Sequence, residues 1–130
     1  MARIERTEIS RTVRFEAAHR LPNVPEGHKC RRLHGHSFRV TIVVDGPVDA
    51  DLGWIVDFGE LEQAWRALYA QLDHRCLNDV EGLENPTAEH LARWIAERLR
   101  VPAPARLVRV TVHETCTSAA TVVLARDSSS

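Results

Sequence analysis

The chain has 130 residues, 44% hydrophobic and 27% charged, with a formal net charge of -1. That length suits one domain with its own core, and the charge balance gives no global field to recruit nucleic acid or an acidic membrane surface. No apolar run reaches the roughly 20 residues of a membrane span, Met1 to Arg14 hold no leader-like apolar stretch, and three cysteines (Cys30, Cys76, Cys116) suit a reduced cytoplasmic protein better than a disulfide framework.

Between Thr12 and Arg20, Val13, Phe15, Ala17 and His19 alternate with Arg14, Glu16, Ala18 and Arg20, which predicts a strand. Leu21 to Leu33 carries two prolines, Gly27 and several charges, and reads as a long loop. His36 to Asp45 is the second strand, ended by Asp45-Gly46-Pro47. Asp57, with Glu60 three residues on, opens a helix whose stripe is Leu61, Trp65, Leu68 and Leu72. Pro86-Thr87 starts a second helix with Leu91, Trp94, Ile95 and Leu99 inward, stopped by Val101-Pro102. Leu107 to His113 and Thr121 to Leu124 are the last predicted strands, and residues 127–130 read as a frayed polar tail. The order ββααββ predicts an α+β fold: a four-stranded antiparallel sheet with both helices on one face. Its open edges favour pairing with other copies.

His34-Gly35-His36 places two imidazoles on one face of a strand, about 6.6 Å apart along it. They can converge on a metal if the backbone curves, and Gly35 is expected to permit that. His19, on the inward face of the first strand, is the candidate third ligand; three histidines leave the fourth position of a catalytic zinc site open. Alone, such a pair is common by chance, and His28 and His90 read as surface histidines. Cys30 adds weight. Lys29, Arg31 and Arg32 surround it, and basic neighbours beside a metal favour a thiolate. The same three could attract a phosphate group or form a solvated loop. Asp73-His74 suits a carboxylate–imidazole relay or, equally, a cation at a helix C-terminus. Glu114, at a strand end, reads as solvated.

Taken together, Phe15-Glu-Ala-Ala-His-Arg-Leu-Pro, Glu26-Gly-His-Lys-Cys-Arg-Arg-Leu-His-Gly-His-Ser-Phe, Gly53-Trp-Ile-Val-Asp-Phe, Leu72-Asp-His, Leu77-Asn-Asp, Gly82-Leu-Glu-Asn-Pro-Thr and Glu114-Thr-Cys-Thr resemble the 6-pyruvoyl-tetrahydropterin synthase superfamily. The spacing Cys-x3-His-Gly-His is similar to its 6-carboxy-5,6,7,8-tetrahydropterin synthase branch, which serves queuosine biosynthesis. The resemblance implies zinc on His19, His34 and His36, Cys30 as the proton-abstracting thiolate, and His74 with Asp73 as the relay. It implies Glu114 as the carboxylate gripping the pterin ring, with Thr115 and Thr117 beside the substrate. It further implies the tunnelling fold, a homohexamer built as a dimer of trimers, and a site between subunits whose Glu114 could serve a neighbour's zinc. The implied reaction turns 7,8-dihydroneopterin triphosphate into 6-carboxy-5,6,7,8-tetrahydropterin, acetaldehyde and triphosphate. A 6-pyruvoyl-tetrahydropterin synthase and a non-catalytic pterin-binding module are the alternatives. Two departures stand out: His113 where close relatives often have Lys, and Arg75-Cys76 where they often have His and an aromatic.

Overall fold

The structure, a computed structural model, describes residues 1–126; the expected tail at 127–130 lies outside the described residues. The first alternating stretch forms β1, Glu8–His19, and the second forms β2, His34–Asp45, both longer than their apolar alternation suggested. They pair antiparallel with Val13 opposite Val40, Phe15 opposite Phe38, Ala17 opposite His36 and His19 opposite His34. Directly opposed residues share a face, so this register sends the apolar set and all three histidines to the same side.

Helix α1, Phe58–Leu72, starts where Asp57 Oδ1 accepts the Gly59 N–H at 2.9 Å. Its buried stripe is Leu61, Trp65, Leu68 and Leu72, as the sequence predicts. Helix α2, Ala88–Arg98, is capped by Thr87 Oγ1, which accepts the His90 N–H at 3.1 Å. It buries Leu91, Trp94 and Ile95. Helix α1 lies against β1, while α2 lies against the final strands β4, Arg106–Thr115, and β5, Ser118–Val123.

The sheet differs from expectation. It has five strands in the order β3-β1-β2-β4-β5, and it is mixed, because β3, Arg75–Cys76, runs parallel to β1. The element order is therefore ββαβαββ. The cause is local: His74 adopts a positive φ of 56° and donates its N–H to the Glu16 carbonyl at 2.6 Å, which turns the chain onto the β1 edge. Two residues carry no periodicity from which a strand can be read. Strand β5 also begins earlier than expected, in a Ser-Ala-Ala run with no apolar alternation.

One core forms between helices and sheet, with Phe15, Phe38, Val40, Ile42, Val110 and Val112 from the strands. Phe15 and Phe38 stack with centroids 5.0 Å apart. Burying such a ring stabilises the fold by about 1.5–3 kcal/mol. Phe38 also sets its edge or face against His19 and His36, at 5.6 and 5.4 Å between centroids, and so floors the histidine cluster. No helix among the described residues is long and apolar enough to cross a membrane.

Candidate metal centre

His19 closes β1, His34 opens β2, and His36 follows two residues on, so three imidazoles meet at one end of the central strand pair. Ring centroids are 4.6 Å apart for His19 and His34, 5.1 Å for His19 and His36, and 4.9 Å for His34 and His36. An added Cβ at Gly35 would meet only the Ala17 carbonyl at 3.6 Å, an ordinary contact, so no close backbone approach demands the glycine, and the strand register brings the three rings together.

Two backbone carbonyls fix the tautomers. His19 Nδ1 donates to Pro86 O at 2.8 Å, and His34 Nδ1 donates to Arg32 O at 2.7 Å. A carbonyl only accepts, so each Nδ1 carries the hydrogen and each neutral ring leaves a bare lone pair on Nε2. His19 is fully buried, and burial is the main cause that holds its pKa below the ordinary 6.5. Neither His19 Nε2 nor His36 Nε2 has a hydrogen-bond partner. Buried nitrogens left this way are costly in a folded protein and call for a partner from outside the chain.

Glu114 completes the cluster. Its Oε1 lies 3.0 Å from His36 Nε2 and 3.4 Å from His19 Nε2 of the same chain. Pairing of β4 with β2 runs to His113 opposite Arg39, and the β4–β5 register shifts between His113 and Thr115. A bulge of this kind re-aims a side chain, here out of solvent and toward the imidazoles. Sequence reasoning missed this contact, since nothing local marks a bulge. One donor atom each from His19, His34, His36 and Glu114 lie within 4.8 Å of one another. Convergent imidazole lone pairs and a carboxylate oxygen, with no protein donor between them, fit a divalent metal ion. The carbonyls of Pro86 and Arg32 would orient the ligands from behind.

Cys30 is half-buried on a single helical turn, Lys29–Arg31, and is not one of the four clustered donors. Its N–H is accepted by His28 Nδ1 at 3.1 Å, and its carbonyl accepts the Leu21 N–H at 2.8 Å. His28 is exposed, as expected of a surface histidine, and also caps the cysteine turn. Arg31 donates to the carbonyls of Pro22 and Val24, at 3.3 and 3.1 Å, and pins the loop.

His74 Nδ1 lies 2.6 Å from Asp73 Oδ2, while Asp73 Oδ1 accepts the Glu16 N–H at 2.9 Å. That backbone bond is the main cause holding the Asp73 carboxyl below its usual range, with hydrogen bonds from His74 and Tyr69 adding to it. The pair is therefore built as a carboxylate orienting an imidazole whose Nε2 faces outward. An open groove of about 540 Å³ runs over β3, β1 and the start of β2, lined by His74, Cys76, Glu16, Gly35, His36 and Ser37 among others, and Cys30 does not line it. Thr115 and Thr117 are exposed at the β4–β5 turn, their hydroxyls 3.4 Å apart.

Comparison with known proteins bears on this arrangement. Residues 8–124 match the family model for 6-pyruvoyl tetrahydropterin synthase. The chain is 47% identical over 111 residues to a 6-carboxy-5,6,7,8-tetrahydropterin synthase of Synechocystis sp., a match covering 82% of this chain and 84% of that protein. It is 35% identical over 102 residues to the dihydroneopterin monophosphate aldolase of Pyrococcus furiosus, covering 77% and 82%. The fold superimposes on the 6-pyruvoyl tetrahydropterin synthase of Caenorhabditis elegans with a TM-score of 0.85 at 28% identity, covering 96% of this chain and all (100%) of the other. The chain belongs to the 6-pyruvoyl tetrahydropterin synthase family.

Proposed function

We propose that the chain is a zinc-dependent carbon–carbon lyase that converts 7,8-dihydroneopterin triphosphate to 6-carboxy-5,6,7,8-tetrahydropterin, releasing acetaldehyde and triphosphate. In this reading it acts in the cytoplasm, in queuosine biosynthesis, as one domain per chain. The observation that carries it is the pair of buried ring nitrogens at His19 and His36 that lack a hydrogen-bond partner, converging with His34. The branch is supported by the 47% identical relative and by the spacing of Cys30 from His34.

His19, His34 and His36 would hold the zinc, which when bound would supply Lewis-acid stabilisation of charge developing on the substrate. Cys30, as thiolate, removes a proton from the side chain at C6 of the pterin. His74 Nε2 carries protons to and from the groove, while Asp73 fixes Nδ1 as the donor side of the ring. Glu114 grips the pterin, its two oxygens accepting the 2-amino and ring N–H groups, with Thr115 and Thr117 beside it. Lys29 and Arg32 remain candidates for the triphosphate, since Arg31 is engaged with the loop carbonyls. Assembly as a homohexamer, a dimer of trimers, fits the exposed outer edge of β5 and would bring Cys30 and His74 of different copies to one site.

The Caenorhabditis elegans likeness favours a second reading, a 6-pyruvoyl-tetrahydropterin synthase using the same ligands and thiol. Product analysis separates the readings. Zinc-loaded protein given 7,8-dihydroneopterin triphosphate should release acetaldehyde together with the 6-carboxy product. A 6-pyruvoyl product without acetaldehyde would establish the sister activity. Pterin binding without turnover would leave a binding module.

A further inference from the structure

The three histidines account for three corners of a metal shell, and the fourth corner is also furnished by this chain. Glu114 Oε1 stands 3.0 and 3.4 Å from His36 Nε2 and His19 Nε2, yet no hydrogen bond joins them. His19 keeps its hydrogen on Nδ1, bound to Pro86 O, so the face toward Glu114 is a lone pair. A carboxylate oxygen against a bare nitrogen is repulsive unless a cation lies between them. A protonated imidazole would instead aim its Nε2–H at the oxygen and form the hydrogen bond that is missing.

The two separations from Glu114 to the histidines match coordination. Donors at about 2.0–2.1 Å from a tetrahedral zinc stand roughly 3.3 Å from each other. Both measured separations bracket that edge. The β4 bulge is what delivers the carboxylate to the corner, and His19, fully buried with an orphaned nitrogen, is aimed at the same point. We propose that Glu114 is the fourth ligand of the metal in the substrate-free chain, and that an arriving pterin draws the carboxylate away and opens the position. This rests on the reading that the three histidines hold the metal. It gives one carboxylate two successive partners, so the metal is closed at rest and open only when pterin N–H groups compete for Glu114.

Zinc affinity measured by competition with a chromophoric chelator tests this without reference to turnover. Loss of an outer-shell partner alone weakens metal binding by about 10- to 100-fold, so Glu114→Gln should bind Zn²⁺ at least about tenfold more weakly than wild type. In the cobalt-loaded protein, the visible bands should differ between wild type and Glu114→Gln. Adding neopterin should shift the wild-type bands toward those of the variant. Wild-type zinc affinity in Glu114→Gln, with binding lost in His36→Ala, would overturn the inference and leave the three-histidine reading standing. Wild type that binds no zinc would overturn both. Cobalt bands indifferent to neopterin would overturn the exchange. Should Glu114→Gln fail to fold, a crystal structure of zinc-loaded wild type decides. A Glu114 oxygen within about 2.2 Å of zinc supports the inference, and a water in its place contradicts it.

Discussion

Strand β2 carries ionisable groups at both of its termini, buried at one and half-buried at the other, and the two ends are treated in opposite ways. At the far end, Asp45 is buried, and Arg106 closes it with two hydrogen bonds from Nε and Nη2, at 2.6 and 3.2 Å. At the near end, His34 and His36 join His19 and Glu114, and two ring nitrogens have no hydrogen-bond partner. The first arrangement is complete within the chain and holds β2 to β4. The second is complete only if something enters it. A buried polar group that serves the fold is satisfied by the fold, and one that is left open at a cost in stability marks a site.

The contrast can be broken most sharply at the Cys30 thiol. Cys30→Ala should lower kcat by about 10² to 10⁴, the usual worth of a general base, with zinc content unchanged. Steady-state rates and metal analysis on one preparation check both halves; loss of zinc together with activity would recast Cys30 as a ligand. Next in size, His36→Leu should weaken zinc binding by more than about 100-fold, beyond the range of outer-shell losses. The metal-free chain should at the same time keep its stability to within about 1 kcal/mol or gain some, since an apolar side chain replaces an unsatisfied one. Urea denaturation in the presence of a chelator measures this.

At the closed end the reverse is expected. Asp45→Asn should cost about 1–3 kcal/mol of stability, because Arg106 loses a charged partner but remains partly open to water. Zinc affinity should not change. The smallest effect is that of acid on the metal-free chain. Burial holds His19 below its ordinary pKa of 6.5, so as the pH falls the unfolded chain takes up that proton before the folded chain does. Stability present above about pH 6.5 is therefore lost below it, through the folded value. Melting temperatures of chelated protein across that range should decline toward acid, and His19→Gln should flatten the decline.

Much of this was legible in the sequence. Alternation placed Phe15, Ala17 and His19 on the inner face, and helical stripes placed Leu61 to Leu72 and Leu91 to Leu99 against the sheet. Strand β3 was not legible, because its two residues are held by the left-handed turn at His74 and not by any pattern of their own. The three histidines were legible from His34-Gly35-His36 and the phase of β1. Glu114 read as a solvated strand end because its placement depends on a bulge between β4 and β5, a property of two strands together. The groove that His74 lines was equally hidden, since it arises from the pairing of β3 with β1.

Zinc analysis of the purified, extensively dialysed chain bears most directly on the whole account. Wild type should retain zinc in equimolar amount, and His19→Ala, His34→Ala and His36→Ala should each release it while keeping the circular dichroism of the folded protein. Folded wild type that binds no divalent ion, or three variants that hold zinc as tightly as wild type, would contradict it.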